Sequence, residues 1–118
     1  MDYFRKATNT SPAVMMDSKT KSVLISGSSL CRDITIYASV INDMIEQFER
    51  FDYQDLNIKL DVFNTMAAKS LIDLLKYFKF NRRSPSIHWY FDKKDHEMQE
   101  MANDYSQLLE MEIDISDN

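Results

Sequence analysis

The chain has 118 residues, of which 44% are hydrophobic and 28% are charged, and its formal net charge is -5. This size and composition predict a single domain over residues 1–118 with enough apolar residues to bury a core. The negative charge and the lack of a Lys/Arg stripe argue against a nucleic-acid partner, and the lack of a long apolar run argues against a membrane.

Two rare residue types narrow the possible functions further. Cys31 is the only cysteine, which excludes an internal disulfide and fits a reducing cytoplasm. The first residues also lack the apolar core of a signal peptide, so a cytoplasmic location is expected. Gly27 is the only glycine. P-loops and dinucleotide fingerprints need several glycines at fixed spacing, so we expect no nucleotide site of these kinds and no cofactor.

The first half of the chain predicts a hairpin followed by a helix. Residues 1–10 are mixed and polar, which is typical of a loosely ordered lead-in. Two short apolar runs, 13–16 and 22–25, flank a polar turn and indicate a β-hairpin. A helix is predicted over 34–51, with Asp33 as its N-cap. Its buried stripe is predicted to consist of Tyr37, Val40, Ile41, Met44, Ile45, Phe48 and Phe51.

The second half alternates strands and helices. Residues 56–62 alternate between apolar and polar, which predicts a strand whose second face is partly exposed. A helix is predicted over 66–80, with a buried stripe of Ala67, Leu71, Leu74, Leu75 and Phe78. Residues 87–91 are apolar apart from His88, as in a central strand. A third helix follows, with an inner stripe of Met98, Met101, Ala102, Tyr105 and Leu108. Residues 111–115 predict a last strand.

The element order along the chain is therefore β-β-α-β-α-β-α-β. Strand–helix–strand units give neighbouring parallel strands, and the hairpin adds an antiparallel pair. We predict an α/β fold with a five-stranded mixed sheet and three principal helices.

The residue types that usually carry catalysis or bind metals form no convincing site. His88 and His96 could act as a base or as ligands, but there is no cysteine cluster and no H-x-x-x-H spacing. The carboxylates mark no catalytic pair, and the lone Cys31 is interpreted as a small residue near a loop. The densest basic spot, Arg82-Arg83, lies in a predicted loop and is interpreted as a solvated turn. A non-enzyme is favoured, with a small hydrolase using His88 as a minor alternative.

Thr65 is the candidate functional residue, because it lies where a strand pattern changes directly into a helix pattern. Threonine at a helix start can cap free backbone N–H groups. It can also accept a phosphate, which the helix dipole would stabilise by about 0.3–1 kcal/mol. Lys69, one turn further on, could pair with that phosphate. Both interpretations remain open on the residues alone.

Several segments together resemble the SiaC family of bacterial regulatory phosphoproteins. They are Ser11-Pro12, Ile25-Ser26-Gly27-Ser28-Ser29, Leu60-Asp61-Val62-Phe63-Asn64-Thr65, Lys69-Ser70-Leu71-Ile72-Asp73-Leu74-Leu75, and His88-Trp89-Tyr90-Phe91-Asp92 with Asp95 and Met98. The resemblance runs over about residues 11–115, with the motifs in the right order.

The resemblance implies a STAS-like fold, similar to anti-anti-sigma factors, and a phosphorylation switch. A Ser/Thr protein kinase and a PP2C-type phosphatase would act on a threonine that corresponds to Thr65. The unphosphorylated form would bind and activate a diguanylate cyclase, raising cyclic di-GMP and promoting biofilm formation or aggregation. The partner-binding surface is predicted to consist of Asn64, Thr65, Met66, Lys69, Ser70 and Asp73. The alternative is an anti-anti-sigma factor that binds an anti-sigma kinase.

Two departures from the family pattern bear on this hypothesis. Serines that commonly follow the threonine are replaced by Met66-Ala67-Ala68, which leaves Thr65 as the obvious acceptor. The usual Pro-Glu-Asn-type segment before the first helix is replaced by Leu30-Cys31-Arg32-Asp33, which puts any contact made by that segment in doubt.

Overall fold

The computed structural model describes residues 1–29, 34–81, 85–92 and 94–117. It is an α/β fold with one mixed sheet and three helices. The elements in chain order are β1 (Tyr3–Arg5), β2 (Ala13–Asp17), β3 (Ser22–Ser29), α1 (Ile34–Arg50), β4 (Asp55–Phe63), α2 (Thr65–Phe80), β5 (Ser86–Phe91), α3 (His96–Leu109) and β6 (Ile113–Asp117). Among these residues, none of the helices is both long enough and apolar enough to span a membrane.

The six strands lie in the sheet in the same order as in the sequence. Strands β1, β2 and β3 are antiparallel, as the predicted hairpin requires, and β3 to β6 are parallel. Each helix connects two neighbouring parallel strands. Crossovers of one hand that always step in the same direction place their helices on the same face of the sheet. The hydrophobic core accordingly lies between the three helices and one face of the sheet.

The sheet has six strands rather than the predicted five, because Tyr3–Arg5 forms an edge strand against β2. This strand is anchored by the carboxylate of Asp2, which accepts hydrogen bonds from the backbone N–H of Ser18, from Ser18 Oγ at 2.9 Å and from the Tyr53 hydroxyl at 2.8 Å. Desolvation acts to raise the pKa of Asp2, but these hydrogen bonds outweigh it and the pKa is lowered. A three-residue strand carries too short a pattern to be recognised from sequence.

One hydrophobic core joins the sheet to all three helices. Alternating residues of the strands β2 to β6 contribute to it, with Leu56, Ile58 and Trp89 fully buried. The predicted stripe of α2 is confirmed as buried along its whole length. The predicted stripe of α3 is wrong at its end, because Leu108 is 68% exposed and Leu109 is buried instead. Leu109 lies eleven residues after Met98, which is three helical turns and therefore the same side of the helix.

The only glycine marks an irregularity in β3. The register between β3 and β4 shifts between Gly27 and Ser28, and Gly27 has a φ of +101°. Residues with a side chain rarely adopt this conformation, so glycine is required by the backbone here. Four sequence predictions lie outside the described residues: the Asp33 cap, the environment of Cys31, the departure over residues 30–33 and the Arg82-Arg83 turn.

Candidate functional site at the start of helix α2

The joint between β4 and α2 consists of a single residue, Asn64. Its backbone is extended, with φ −100° and ψ 177°, and its side-chain oxygen accepts a hydrogen bond from the N–H of Ala67 at 3.0 Å. Its carbonyl oxygen accepts a hydrogen bond from the N–H of Ala68 at 2.9 Å. Asn64 is therefore the N-cap of α2, and Thr65 is the first residue of the helix. The capping role that the sequence left open for Thr65 belongs to its neighbour.

The electrostatic environment at this helix start favours an added negative charge. The N-terminus of a helix carries the positive end of the helix dipole and backbone N–H groups that have no partner within the helix. The first turn of α2 contains no acidic residue to offset that positive end. A phosphate, with about -1.5 to -2 charges at neutral pH, would be better accommodated here than at the C-terminal end of the same helix.

A groove between α1 and α2 lies next to this helix start. It encloses about 260 Å³ and is lined by Ala38, Ile41, Asn42, Ile45, Lys69, Ser70 and Asp73. It therefore brings together three residues of the predicted partner-binding surface, Lys69, Ser70 and Asp73. Lys69 and Asp73 are exposed, whereas Ser70 is only 5% exposed and offers little contact area to a partner. The side chains of Thr65 and Met66 lie outside the described part of the structure.

The sequence pattern does not indicate the α1 side of the groove. It predicts Ile41 and Ile45 in the buried stripe of α1, but both are only partly buried at the edge of the core. The available signal was the width of the stripe, since seven apolar residues on one helix cover more surface than one buried face needs. Beyond the groove, the Tyr77 hydroxyl donates a 2.7 Å hydrogen bond to Glu49 and so connects α2 to α1.

The histidines lie elsewhere. His88 lies between two carboxylates, with Nδ1 3.2 Å from Asp114 and Nε2 3.4 Å from Asp55. His96 is the exposed first residue of α3, after the N-cap Asp95. The described residues contain no group of three His, Cys, Asp or Glu side chains suited to a metal ion. A larger groove of about 940 Å³ adjoins His88, but it lies at the amino ends of the parallel strands β5 and β6. Thr65 follows the carboxyl end of β4, which is the opposite end of the parallel strands.

Comparison with known proteins agrees with the motif order and the fold. The model of a family described as "SiaC family regulatory phosphoprotein" matches residues 5–118. The chain belongs to the SiaC family. The resemblance noted in the sequence and the predicted fold class are thereby confirmed, with the sixth strand as the one difference in the sheet. A comparison with curated protein sequences gave no significant match.

Two solved structures show how closely the fold of this SiaC-family chain follows its relatives. One is described as the diguanylate cyclase SiaD in complex with its activator SiaC from Pseudomonas aeruginosa. It aligns with a TM-score of 0.84 and 19% identity over 99% of this chain and 100% of the matched chain. The other is SiaC of Pseudomonas aeruginosa, with a TM-score of 0.78 and 20% identity over 100% and 99% of the two chains. At these identities the likeness concerns the fold.

Proposed function

We propose that this chain is a non-enzymatic regulatory phosphoprotein in which Thr65 is the phospho-acceptor. In its unmodified form it binds and activates a diguanylate cyclase through the start of α2 and the α1–α2 groove. The observation that carries this proposal is the start of α2, which is capped by Asn64, has no acidic residue in its first turn and lies beside that groove. The chain also belongs to the SiaC family of regulatory phosphoproteins. The SiaC relative that is described as an activator in complex with a diguanylate cyclase supports the choice of partner.

The switch works through charge added at the edge of the groove. A kinase transfers the γ-phosphoryl group of ATP to the Thr65 hydroxyl, with release of ADP and a proton, and a PP2C-type phosphatase removes it with water. The phosphate is stabilised by the helix dipole and by Lys69, one turn away. It also withdraws Lys69 from the partner and adds a charge that the partner must desolvate. A loss of about 1.4 kcal/mol already weakens binding tenfold.

Peptide mass spectrometry tests the acceptor. After incubation with the cognate kinase and ATP, the phosphate should be found on Thr65 and should disappear in Thr65→Val. The matched control is Thr20→Val, which removes an exposed threonine hydroxyl in the β2–β3 turn and should leave phosphorylation unchanged. A phosphate that persists in Thr65→Val contradicts the proposal.

Binding to the purified cyclase tests the surface. We expect Lys69→Glu and the phosphorylated protein each to bind the cyclase about tenfold more weakly than the unmodified protein. Lys94→Glu makes the same charge change at an exposed position just before α3 and should bind normally. Equal binding of the phosphorylated and unmodified forms would show that the mechanism is wrong. Recovery of an anti-sigma kinase instead of a cyclase in a copurification would favour the anti-anti-sigma alternative.

A further inference from the structure

One face of the sheet is covered by no helix in the part of the chain that the structure describes. The core residues of each strand from β2 to β6 alternate with residues that point the other way. We call this second surface the open face. Its central row crosses all six strands, because its members are successive register partners. They are Phe4, Met15, Leu24, Asn57, His88 and Asp114.

The first half of the row is apolar. Phe4 on β1 is 59% exposed, and Met15 and Leu24 beside it are half-buried. These three side chains belong to three adjacent strands, so they form one continuous patch. A cluster of large apolar side chains on a small domain, bordered by polar residues, is typical of a surface that binds another protein.

The second half of the open face is acidic. The side chains of Asp55 and Asp114, on either side of His88, are 47% and 63% exposed. Asp61 on β4 is exposed as well. Lys59 is the one lysine or arginine on the open face of β4 to β6 within the described residues, and its Nζ lies 4.8 Å from the centre of the Tyr90 ring. Two further lysines, at positions 19 and 21, lie in the β2–β3 turn beyond the strands.

We propose that the open face binds a basic amphipathic helix of a partner protein. Six strands about 4.8 Å apart span about 24 Å, which is the length of a helix of about 16 residues. The apolar side chains of its first two turns would pack on Phe4, Met15 and Leu24. Arginines on the same side of its last two turns would reach Asp55 and Asp114, because the guanidinium fork suits carboxylates.

The charge of the open face decides between this occupant and two others. Anionic lipid headgroups would be repelled by the acidic half, so a membrane surface does not fit it. A second copy of the chain would bring no cationic patch to face Asp55 and Asp114 within the described open face. A helix that is apolar at one end and basic at the other complements both the apolar half and the acidic half of the open face.

This surface goes beyond the proposed function and is independent of the Thr65 switch. The central row crosses β4 at Asn57, six residues before the strand ends at Phe63, which is a distance of about 20 Å along the strand. The open face also lies on the opposite side of the sheet from α1 and α2. The cyclase and a second partner could therefore occupy the protein together, in either phosphorylation state.

The proposal can be tested with a synthetic peptide of 16 residues and the full chain. The labelled peptide carries leucines on its first two turns and arginines on the same side of its last two turns. We expect saturable binding, measured by fluorescence anisotropy, that weakens with added salt. The double variant Asp55→Asn/Asp114→Asn and the single variant Phe4→Ser should each bind about tenfold more weakly. Glu100→Gln, an exposed carboxylate change on α3, should bind like the unmodified protein.

Backbone amide chemical shifts locate the binding surface. Binding should perturb the strands, at the central row and its neighbours, with little change in α1 and α2, and phosphorylation of Thr65 should leave the peptide affinity unchanged. The proposal is overturned if the peptide does not bind, or if a version with glutamates in place of the arginines binds equally well. It is also overturned if the shifts concentrate on α1 and α2, if Phe4→Ser abolishes a dimer of the chain instead, or if the chain without peptide cosediments with anionic vesicles.

Discussion

Replacing Asn64 with alanine removes the side-chain hydrogen bond from the Ala67 N–H by which the joint residue caps α2. In the structure, the Asn64 side-chain oxygen is 3.0 Å from the N–H of Ala67, and the residue is half-buried. Alanine keeps the carbonyl bond to Ala68 but leaves the Ala67 N–H without the acceptor. The variant therefore measures how much this cap stabilises the start of α2.

The expected cost is about 1 kcal/mol of unfolding free energy, within the range of about 0.5–2 kcal/mol for a lost N-cap. For a domain of this size that corresponds to a decrease in Tm of about 3–6 °C. It also corresponds to a decrease of about 0.5 M in the urea midpoint, for an m-value of about 2 kcal/mol/M. Asn64→Asp keeps the hydrogen-bond acceptor and adds a negative charge that interacts favourably with the helix dipole. Its unfolding free energy should therefore exceed that of Asn64→Ala by more than the contribution of the capping hydrogen bond.

Urea unfolding followed by far-UV circular dichroism is the appropriate assay. Asn42→Ala is the matched control, since it deletes the same atoms at an exposed position inside α1 and should leave stability unchanged or raise it by up to about 0.7 kcal/mol. The capping assignment would be refuted if Asn64→Ala lost less than about 0.3 kcal/mol, or if Asn42→Ala lost as much as Asn64→Ala.

Two further predictions concern the parts of the fold that the sequence pattern did not reveal. The pKa of Asp2 is lowered in the folded state, so its hydrogen bonds with Ser18 and Tyr53 stabilise the protein fully at pH values above the ordinary pKa of 3.8. This stabilisation is lost as the pH falls through the lowered pKa of the folded state. Asp2→Asn should therefore be less stable than the unmodified protein at pH 7, with a difference that shrinks in acid; a constant difference across the pH range would contradict this. On α3, Leu109→Ala should lose about 2–5 kcal/mol in chemical denaturation and Leu108→Ala less than about 0.5 kcal/mol, and equal losses would show that the burial assignment is wrong.

Local patterning was sufficient to predict most of the fold. The alternation in β4 and the stripe of α2 report directly on a single buried face, and both were predicted correctly from sequence. The edge strand β1 was not, because it depends on Asp2 meeting Ser18 and Tyr53, which are far away in the sequence. The predicted stripe of α3 is wrong at its end because Leu108 and Leu109 are equally apolar and lie three and four residues after Tyr105. The helical period counted from Met98 favours Leu109, and the packing against the sheet agrees with it.

The candidate site was predicted in part for similar reasons. The strand-to-helix joint could be located, since the change of period is local. The choice between Asn64 and Thr65 as cap depends on the extended backbone of Asn64, which either residue type could have adopted. The groove depends on the distance between α1 and α2, and no pattern within either helix encodes that distance.

The sequential order of the strands has a consequence for how the chain folds. Each parallel strand pairs with the strand that was synthesised just before it, and only one helix lies between the two. The entropy cost of closing each connection is therefore similar, and no strand waits for a distant partner. The hairpin of β2 and β3 can form first and then be extended by one helix and one strand at a time, from the N-terminus to the C-terminus, during synthesis on the ribosome.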